Sequence, residues 1–183
     1  MRLKALLVAA ALLGVGALPV LAAPIPLQDP DTGAFSGWNV AWDESVVSVR
    51  TIEVDRTASV VRIAIEKDFG PYEMADGRIE LPDALVNFTL DSDSGQTPVS
   101  LIVIESETIA NNTGASWNHF DWIIMQTGAA DFLVAESAGW DVSPFAAKAW
   151  LDASGNVAHH LSARDGMVPN GAIFAPAGGL VIA

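Results

Sequence analysis

Residues 101–125, LIVIESETIANNTGASWNHFDWIIM, constrain the fold more than any other stretch of the chain. Two strongly apolar runs flank a polar turn, Asn111-Asn112-Thr113-Gly114. β-Branched and aromatic residues suit a pleated, half-buried surface. The stretch therefore reads as the central hairpin of an all-β domain, with Val99–Ile109 and Trp117–Met125 as its arms. The same logic extends outward. Val61, Ile63 and Ile65 alternate with Arg62, Ala64 and Glu66, and Val86, Phe88 and Leu90 alternate with Asn87 and Thr89. A period of two is what a strand with one buried face requires, because successive side chains point to opposite sides.

Turn chemistry separates these runs. A first strand is expected over Gly37–Trp42, and Ser45–Asp55 with Ala58–Glu66 form a hairpin around Arg56-Thr57. Lys67–Arg78 holds Gly70-Pro71 and Asp76-Gly77, both turn signals, and reads as a loop. Asp91–Pro98 is a turn, and Thr127-Gly128 is a break. Ala130–Ala138 fits either a strand or a short helical turn. Ala146–Ala163 reads as a hairpin with Asp152-Ala153-Ser154-Gly155-Asn156 at its tip. Ala172–Ala183 is apolar but too short to span a bilayer core of ~30 Å as a helix, and is expected to pack as a terminal strand. Several short strands with no long amphipathic helix, internal repeat or linker point to a single-domain antiparallel β-sandwich covering residues 36–183. Residues 23–35, rich in Pro and Asp, are expected to form an irregular N-terminal arm.

The first 22 residues have a different character. Arg2 and Lys4 form a basic start, Ala5–Leu18 is apolar, Pro19 breaks the run, and Val20-Leu21-Ala22 ends on a small residue. This is the pattern of an export leader cleaved after Ala22, which makes the protein secreted or extracellular, with the periplasm or cell surface as alternatives. Loss of Arg2 and Lys4 moves the formal charge from −13 to −15. An acidic chain with no basic cluster excludes nucleic acid as partner, and the mature chain is not expected to insert into a membrane. A polysaccharide or an extracellular protein is the partner class that fits. With no cysteine there are no disulfides and no thiolate chemistry, and a domain of this size can bury enough surface without them.

Candidate chemistry is scattered. Asp29-Pro30-Asp31-Thr32-Gly33, Asp91-Ser92-Asp93-Ser94-Gly95 and, more weakly, Asp152–Asn156 resemble calcium loops, since alternating carboxylates before a glycine can wrap a hard cation. No cofactor is required, and a structural calcium held by Asp91 and Asp93 is the cation such turns would take. None completes a twelve-residue loop, and Asp, Ser and Gly are also ordinary turn residues, which is the preferred reading. In a hairpin centred on Thr113, Glu107 would face His119 and Glu105 would face Asp121, setting three carboxylates and an imidazole on one sheet face as a metal site. A solvated face with one His–Glu pair is the alternative, and it is preferred because a one-residue slip destroys the cluster. His159 and His160 are adjacent and point to opposite faces, so they do not share an ion. Six tryptophans are many for the length, and Trp38 and Trp42, of equal parity on one strand, could stack on sugar rings as a ligand-binding platform. Large aromatics are equally standard core material. Hydrolase signatures such as G-x-S-x-G or H-E-x-x-H are absent, and no catalytic residue is assigned.

The segment from Ile109 to Asp121, with Asn112, Thr113, Gly114, Trp117 and Phe120 at the spacing N-T-G-x2-W-x2-F, resembles a stretch found in secreted bacterial proteins of the PEP-CTERM (exosortase-sorted) type. The resemblance covers about 15 residues and implies a β-sandwich at the cell surface or in the extracellular matrix. It carries no catalytic residues. The Pro-Glu-Pro signal, spanning helix and basic tail of that type are not found up to Ala183, so free secretion is expected rather than sorting to an anchor. Together these readings favour a secreted, non-enzymatic β-sandwich for surface, matrix or adhesive interactions. A carbohydrate-binding module, with or without calcium, is the first alternative. A polysaccharide-active enzyme of unrecognised type is the second.

Overall fold

The computed structural model describes residues 6–9, 21–70, 84–125 and 130–183. It is all-β. The strands in chain order are β1 (Leu6–Ala9), β2 (Ile25–Gln28), β3 (Phe35–Trp42), β4 (Val47–Asp55), β5 (Val60–Phe69), β6 (Val86–Leu90), β7 (Leu101–Asn111), β8 (Phe120–Ile124), β9 (Phe132–Leu133), β10 (Ala147–Trp150), β11 (Val157–Ala158), β12 (His160–Arg164), β13 (Ile173–Phe174) and β14 (Ala177–Ile182). One sheet runs β10-β12-β8-β1-β6-β3-β2; the other runs β11-β9-β14-β7-β5-β4, with β13 also on β7. The core lies between them. Trp38, Val40, Val86, Phe88, Trp122 and Ile124 from the first sheet meet Val61, Ile63, Ile65, Ile104, Ile109 and Leu180 from the second in one buried cluster.

Much of the expected strand pattern holds. The β4–β5 hairpin forms with Val47 opposite Lys67 and Asp55 opposite Val60. β6 falls where the alternation places it, and the apolar stretch 172–183 supplies the terminal strand β14 as expected. Period two carries β5 beyond Ile65, so Lys67 and Phe69 point inward too. The Lys67–Phe69 part of the expected loop is therefore strand. Its Gly70-Pro71 and Asp76-Gly77 turns, like the Thr127-Gly128 break, involve residues outside those described.

The central hairpin does not form. β7 belongs to the second sheet and β8 to the first, so residues 112–119 arch across the sandwich. Both edges of β7 are already used, by β5 on one side and by β13 and β14 on the other, which leaves β8 no ladder to join. A hairpin and an arch place the same demand on side chains, one buried face per strand, so periodicity alone does not separate them. The β5–β7 pairing is parallel, the one exception to antiparallel order among the described ladders. It needs a crossover, and β6 in the opposite sheet lies on that crossover.

Two further differences concern the ends of the domain. The arm expected to be irregular contributes β2, an edge strand on β3 with its register shifted between Pro26 and Gln28. A proline is tolerated there because an edge strand has one side free of ladder bonds. The tip of the 146–163 hairpin is also more complex. β10 pairs with β12 as expected, but β11 leaves to pair with β9 in the other sheet, so the chain changes sheets at His159.

Candidate functional site

The best-developed polar constellation lies at the arch between β7 and β8. Asn111 is fully buried. Its Nδ2 donates to Ala115 O at 2.8 Å and Val168 O at 3.0 Å, and its Oδ1 accepts from Thr113 N at 3.2 Å and Thr113 Oγ1 at 2.7 Å. Thr113 Oγ1 in turn accepts the indole N–H of Trp117 at 3.2 Å. Gly114 takes φ = 85°, a left-handed conformation that glycine adopts without steric cost, and donates its N–H to Asn170 Oδ1 at 2.8 Å. Trp117 and Phe120 then pack on Phe69 with near edge-on rings. The segment from Asn112 to His119 thus turns the chain from one sheet to the other. The central side chain is Asn111; Asn112 lies outside, donating to Asp68 Oδ1 at 2.8 Å.

Beneath the arch is a buried ion pair. Lys67 Nζ lies 2.9 Å from Glu107 Oε1, with side-chain exposures of 4% and 0%. The other carboxylate oxygen accepts from Trp122 Nε1 at 2.8 Å, and the ammonium sits 5.5 Å from the centre of the Phe120 ring. Glu107 reaches this position because of a bulge. Ile63 pairs with Ile104 but Ala64 pairs with Ser106, so Glu105 is an extra residue in β7. Beyond it the alternation resumes one residue later, and Glu107, Ile109 and Asn111 turn inward after Ile102 and Ile104.

The four-residue cluster expected on one face is accordingly dispersed. Glu107 is in the core, while Glu105 is on the outer side, 3.0 Å from Arg62 Nη1, with Glu53 3.3 Å from the same guanidinium. His119 is exposed, with Nδ1 2.8 Å from Asn118 Oδ1. Asp121 belongs to the other sheet and lies 3.4 Å from His160 Nε2. His119 and Asp121 do share the wall of an open depression of about 370 Å³ with Asn118, Arg164 and Asp165. Among the described residues no three His, Cys, Asp or Glu side chains converge as metal ligands.

The aspartates of the supposed calcium loops hold turns instead. Asp91 Oδ1 accepts from the backbone N–H groups of Asp93 at 3.0 Å and Ser94 at 3.1 Å, while Asp93 Oδ1 meets only the Ser92 hydroxyl, at 3.3 Å. Asp29 is more heavily engaged. Its Oδ1 accepts from Asp31 N, Thr32 N and Thr32 Oγ1, and its Oδ2 from Val54 N, which ties the β2–β3 turn to β4 across the sandwich edge. Those bonds, led by the Thr32 amide, hold its carboxyl down at about 2. Asp141 is lowered by the hydroxyl and amide of Ser143. Burial pushes Asp152 up, but the amides of His159 and His160 outweigh it and its carboxyl also lies below the usual range.

His159 and His160 part as expected, each toward a different carboxylate. His159 Nε2 lies 2.8 Å from Asp131 Oδ1, off the hydrogen-bond line, and Nδ1 lies 3.3 Å from Asp152 Oδ2. Because the chain changes sheets here, His159 links the start of β9, the end of β10 and the start of β12. Lys148 performs a similar task nearby, donating to the carbonyls of Ala138 and Trp140 at 2.9 and 2.7 Å; burial lowers its pKa.

The tryptophan platform is not displayed. Trp38 is 6% exposed and donates Nε1 to Val99 O at 2.9 Å, so its ring faces are packed away from any sugar. Equal parity does put Trp42 on the same side, but that side is the core, against which Trp42 is partly buried. Trp117, Trp122 and Trp140 are core residues, and Trp150 packs on Phe132. Sequence inspection passes over Lys67 and Asn111, although the parity of β5 already turns Lys67 inward. Among the described residues no helix is long and apolar enough to cross a membrane. No family model, curated protein or solved structure matches the chain.

Proposed function

We propose that this chain is a secreted, non-enzymatic β-sandwich protein of the extracellular surface or matrix, of the kind its Asn112–Phe120 segment resembles, acting through protein or polysaccharide contacts. One observation carries the reading. The groups that chemistry would need are spent on structure: Glu107 on Lys67 and Trp122, Asp91 and Asp29 on turn amides, Asn111 and Trp117 on the arch. The leader-like N-terminus and the acidic balance of the remainder support an extracellular address. With no cysteine, the chain reaches that setting without disulfides, which a core of this size permits.

A glycan-binding module is the second reading, and the observation favouring it is the open depression at Asn118, His119, Asp121, Arg164 and Asp165. Its polar lining suits hydroxyl groups better than the buried Trp38 does. The test is expression of the full chain with its leader in a bacterial host, followed by fractionation, N-terminal mass analysis and a glycan array. The expected result is a product beginning at Ala23 outside the cytoplasm, retained with matrix or surface material. A cytoplasmic, unprocessed chain, or turnover of a polysaccharide by the purified protein, would overturn the reading. Glycan binding abolished by Asp121→Ala would establish the second reading in its place.

A further inference from the structure

β6 and β8 do not pair with one another. Between them runs β1, antiparallel to both: Leu6, Leu7 and Val8 lie opposite Phe88, Asn87 and Val86, and on the other side Val8 and Ala9 lie opposite Ile124 and Ile123. β1 belongs to the apolar segment assigned above to a cleaved leader. Its removal divides the first sheet into β10-β12-β8 and β6-β3-β2, separated by one strand's width, which is two inter-strand spacings or ~9.5 Å.

The backbone groups that would face this gap can be identified. Leu85 O accepts from Asp43 N and Asp91 N donates to Gly37 O, so the odd-numbered positions of β6 bond toward β3. By the alternation of an antiparallel ladder, Val86 and Phe88 turn their N–H and C=O groups to the gap. Across it, Ile124 N donates to His159 O, which leaves Ile123 facing the gap. Below lie Val86, Phe88, Trp122 and Ile124, each at most 1% exposed with β1 in place. A gap with two unpaired ladders above apolar core side chains is a costly arrangement to leave open to water.

We infer that the processed protein keeps this gap as a slot for an extended strand donated by a partner polypeptide, apolar where it meets the core and basic at its flanks. This rests on the export reading. The apolar requirement follows from the core beneath and from the Leu-Leu-Val-Ala strand that fills the gap here. Basic flanks follow from the charge of −15 left after processing, which attracts a cationic donor. A second copy supplies a poor donor. Its new N-terminus reads Ala23-Pro24-Ile25-Pro26, and proline cannot serve a central ladder. Its β14 is already paired with β7 and β9. Strand addition gives affinity through main-chain hydrogen bonds and specificity through alternate side chains.

The test uses the exported protein, with its processing established by intact mass. It is titrated with a labelled peptide of residues 4–11 (KALLVAAA) and with the same peptide N-methylated at alternate backbone amides. Saturable binding is expected, with a Tm rise of roughly 5–10 °C at hundredfold excess over Kd. Hydrogen-exchange protection should be gained at Val86, Phe88 and Ile123, and the N-methylated peptide should bind at least tenfold more weakly. No binding, equal binding of both peptides, or protection of those three amides in the free chain through direct β6–β8 pairing overturns the slot. A concentration-dependent dimer that excludes the peptide overturns the partner assignment in favour of a second copy. An exported chain whose mass still includes residues 1–22 overturns the leader reading first, and the slot with it. That result is distinguishable because failed binding by a correctly processed chain leaves the leader reading intact.

Discussion

The Lys67–Glu107 pair offers the sharpest quantitative test of how the sandwich is held together. At 2.9 Å the two charges attract by about 6 kcal/mol for an effective dielectric of ~20. Burying both groups costs a comparable amount, so the intact pair contributes little net stability. Removing one partner is different, because it leaves the other charge in the core. Lys67→Met strands a carboxylate whose remaining contact is the Trp122 N–H at 2.8 Å. The expected loss is about 3–5 kcal/mol, a large part of the ~5–15 kcal/mol that holds a typical domain. For a chain of this size that lowers Tm by about 6–20 °C. The double variant Lys67→Met/Glu107→Gln keeps an acceptor for Trp122 and removes both charges, so it should recover most of the loss. Urea unfolding of the wild type, both single variants and the double variant measures the coupling directly. A cost below ~1 kcal/mol for Lys67→Met, or strictly additive single changes, would refute the argument that these two charges depend on each other.

Three further outcomes follow from the same geometry. Asn111→Ala should destabilise by about 2–3 kcal/mol, since it strips buried carbonyls and the Thr113 hydroxyl of their partner, while Asn112→Ala should change unfolding by less than ~0.5 kcal/mol; equal effects in denaturant titrations would place the key amide wrongly. Asp29, held at about 2 against an ordinary 3.8, is ionised in both folded and unfolded states above that ordinary value, so its contribution is complete there. The contribution is lost as pH falls from 3.8 through 2, and Asp29→Asn should flatten that part of the stability–pH curve; an unchanged acid limb would count against it. Calcium should not matter: with Asp91 Oδ1 occupied by two amides, Tm in EDTA and in millimolar calcium should agree within error, and a rise with calcium would restore the cation site.

Legibility in the sequence differed from one element to the next. β5 was readable from Val60 to Glu66, because Val61, Ile63 and Ile65 bury one face of a strand whatever its neighbours are, while its end at Lys67–Phe69 was hidden by the turn signals that follow. The apolar character of Ala5–Leu18 was plain in the sequence, yet nothing local indicated that Leu6–Ala9 would lie between β6 and β8. The proposed metal cluster failed on a pairing error. Glu105, Glu107, His119 and Asp121 line up only if β7 and β8 are neighbours, and instead an arch separates them. The sugar platform failed for another reason. Equal parity correctly put Trp38 and Trp42 on one side of β3, but parity does not say which side is wet. Aspartates before glycine were ambiguous by nature, since a carboxylate satisfies turn amides with the same oxygens it would offer a cation.

By itself the sequence determined that the chain is built of short strands and that a strand such as β5 has one apolar face, carried by Val61, Ile63 and Ile65. These are consequences of spacing along one strand, where the alternation of side chains is set by backbone geometry. Tertiary structure decided which strands are neighbours, and with that the bulge at Glu105, the inward turn of Glu107 and the ion pair beneath the arch. Strand partners are chosen over long sequence separations by how two sheets fill one core, and every candidate neighbour with an apolar face satisfies the local pattern equally well.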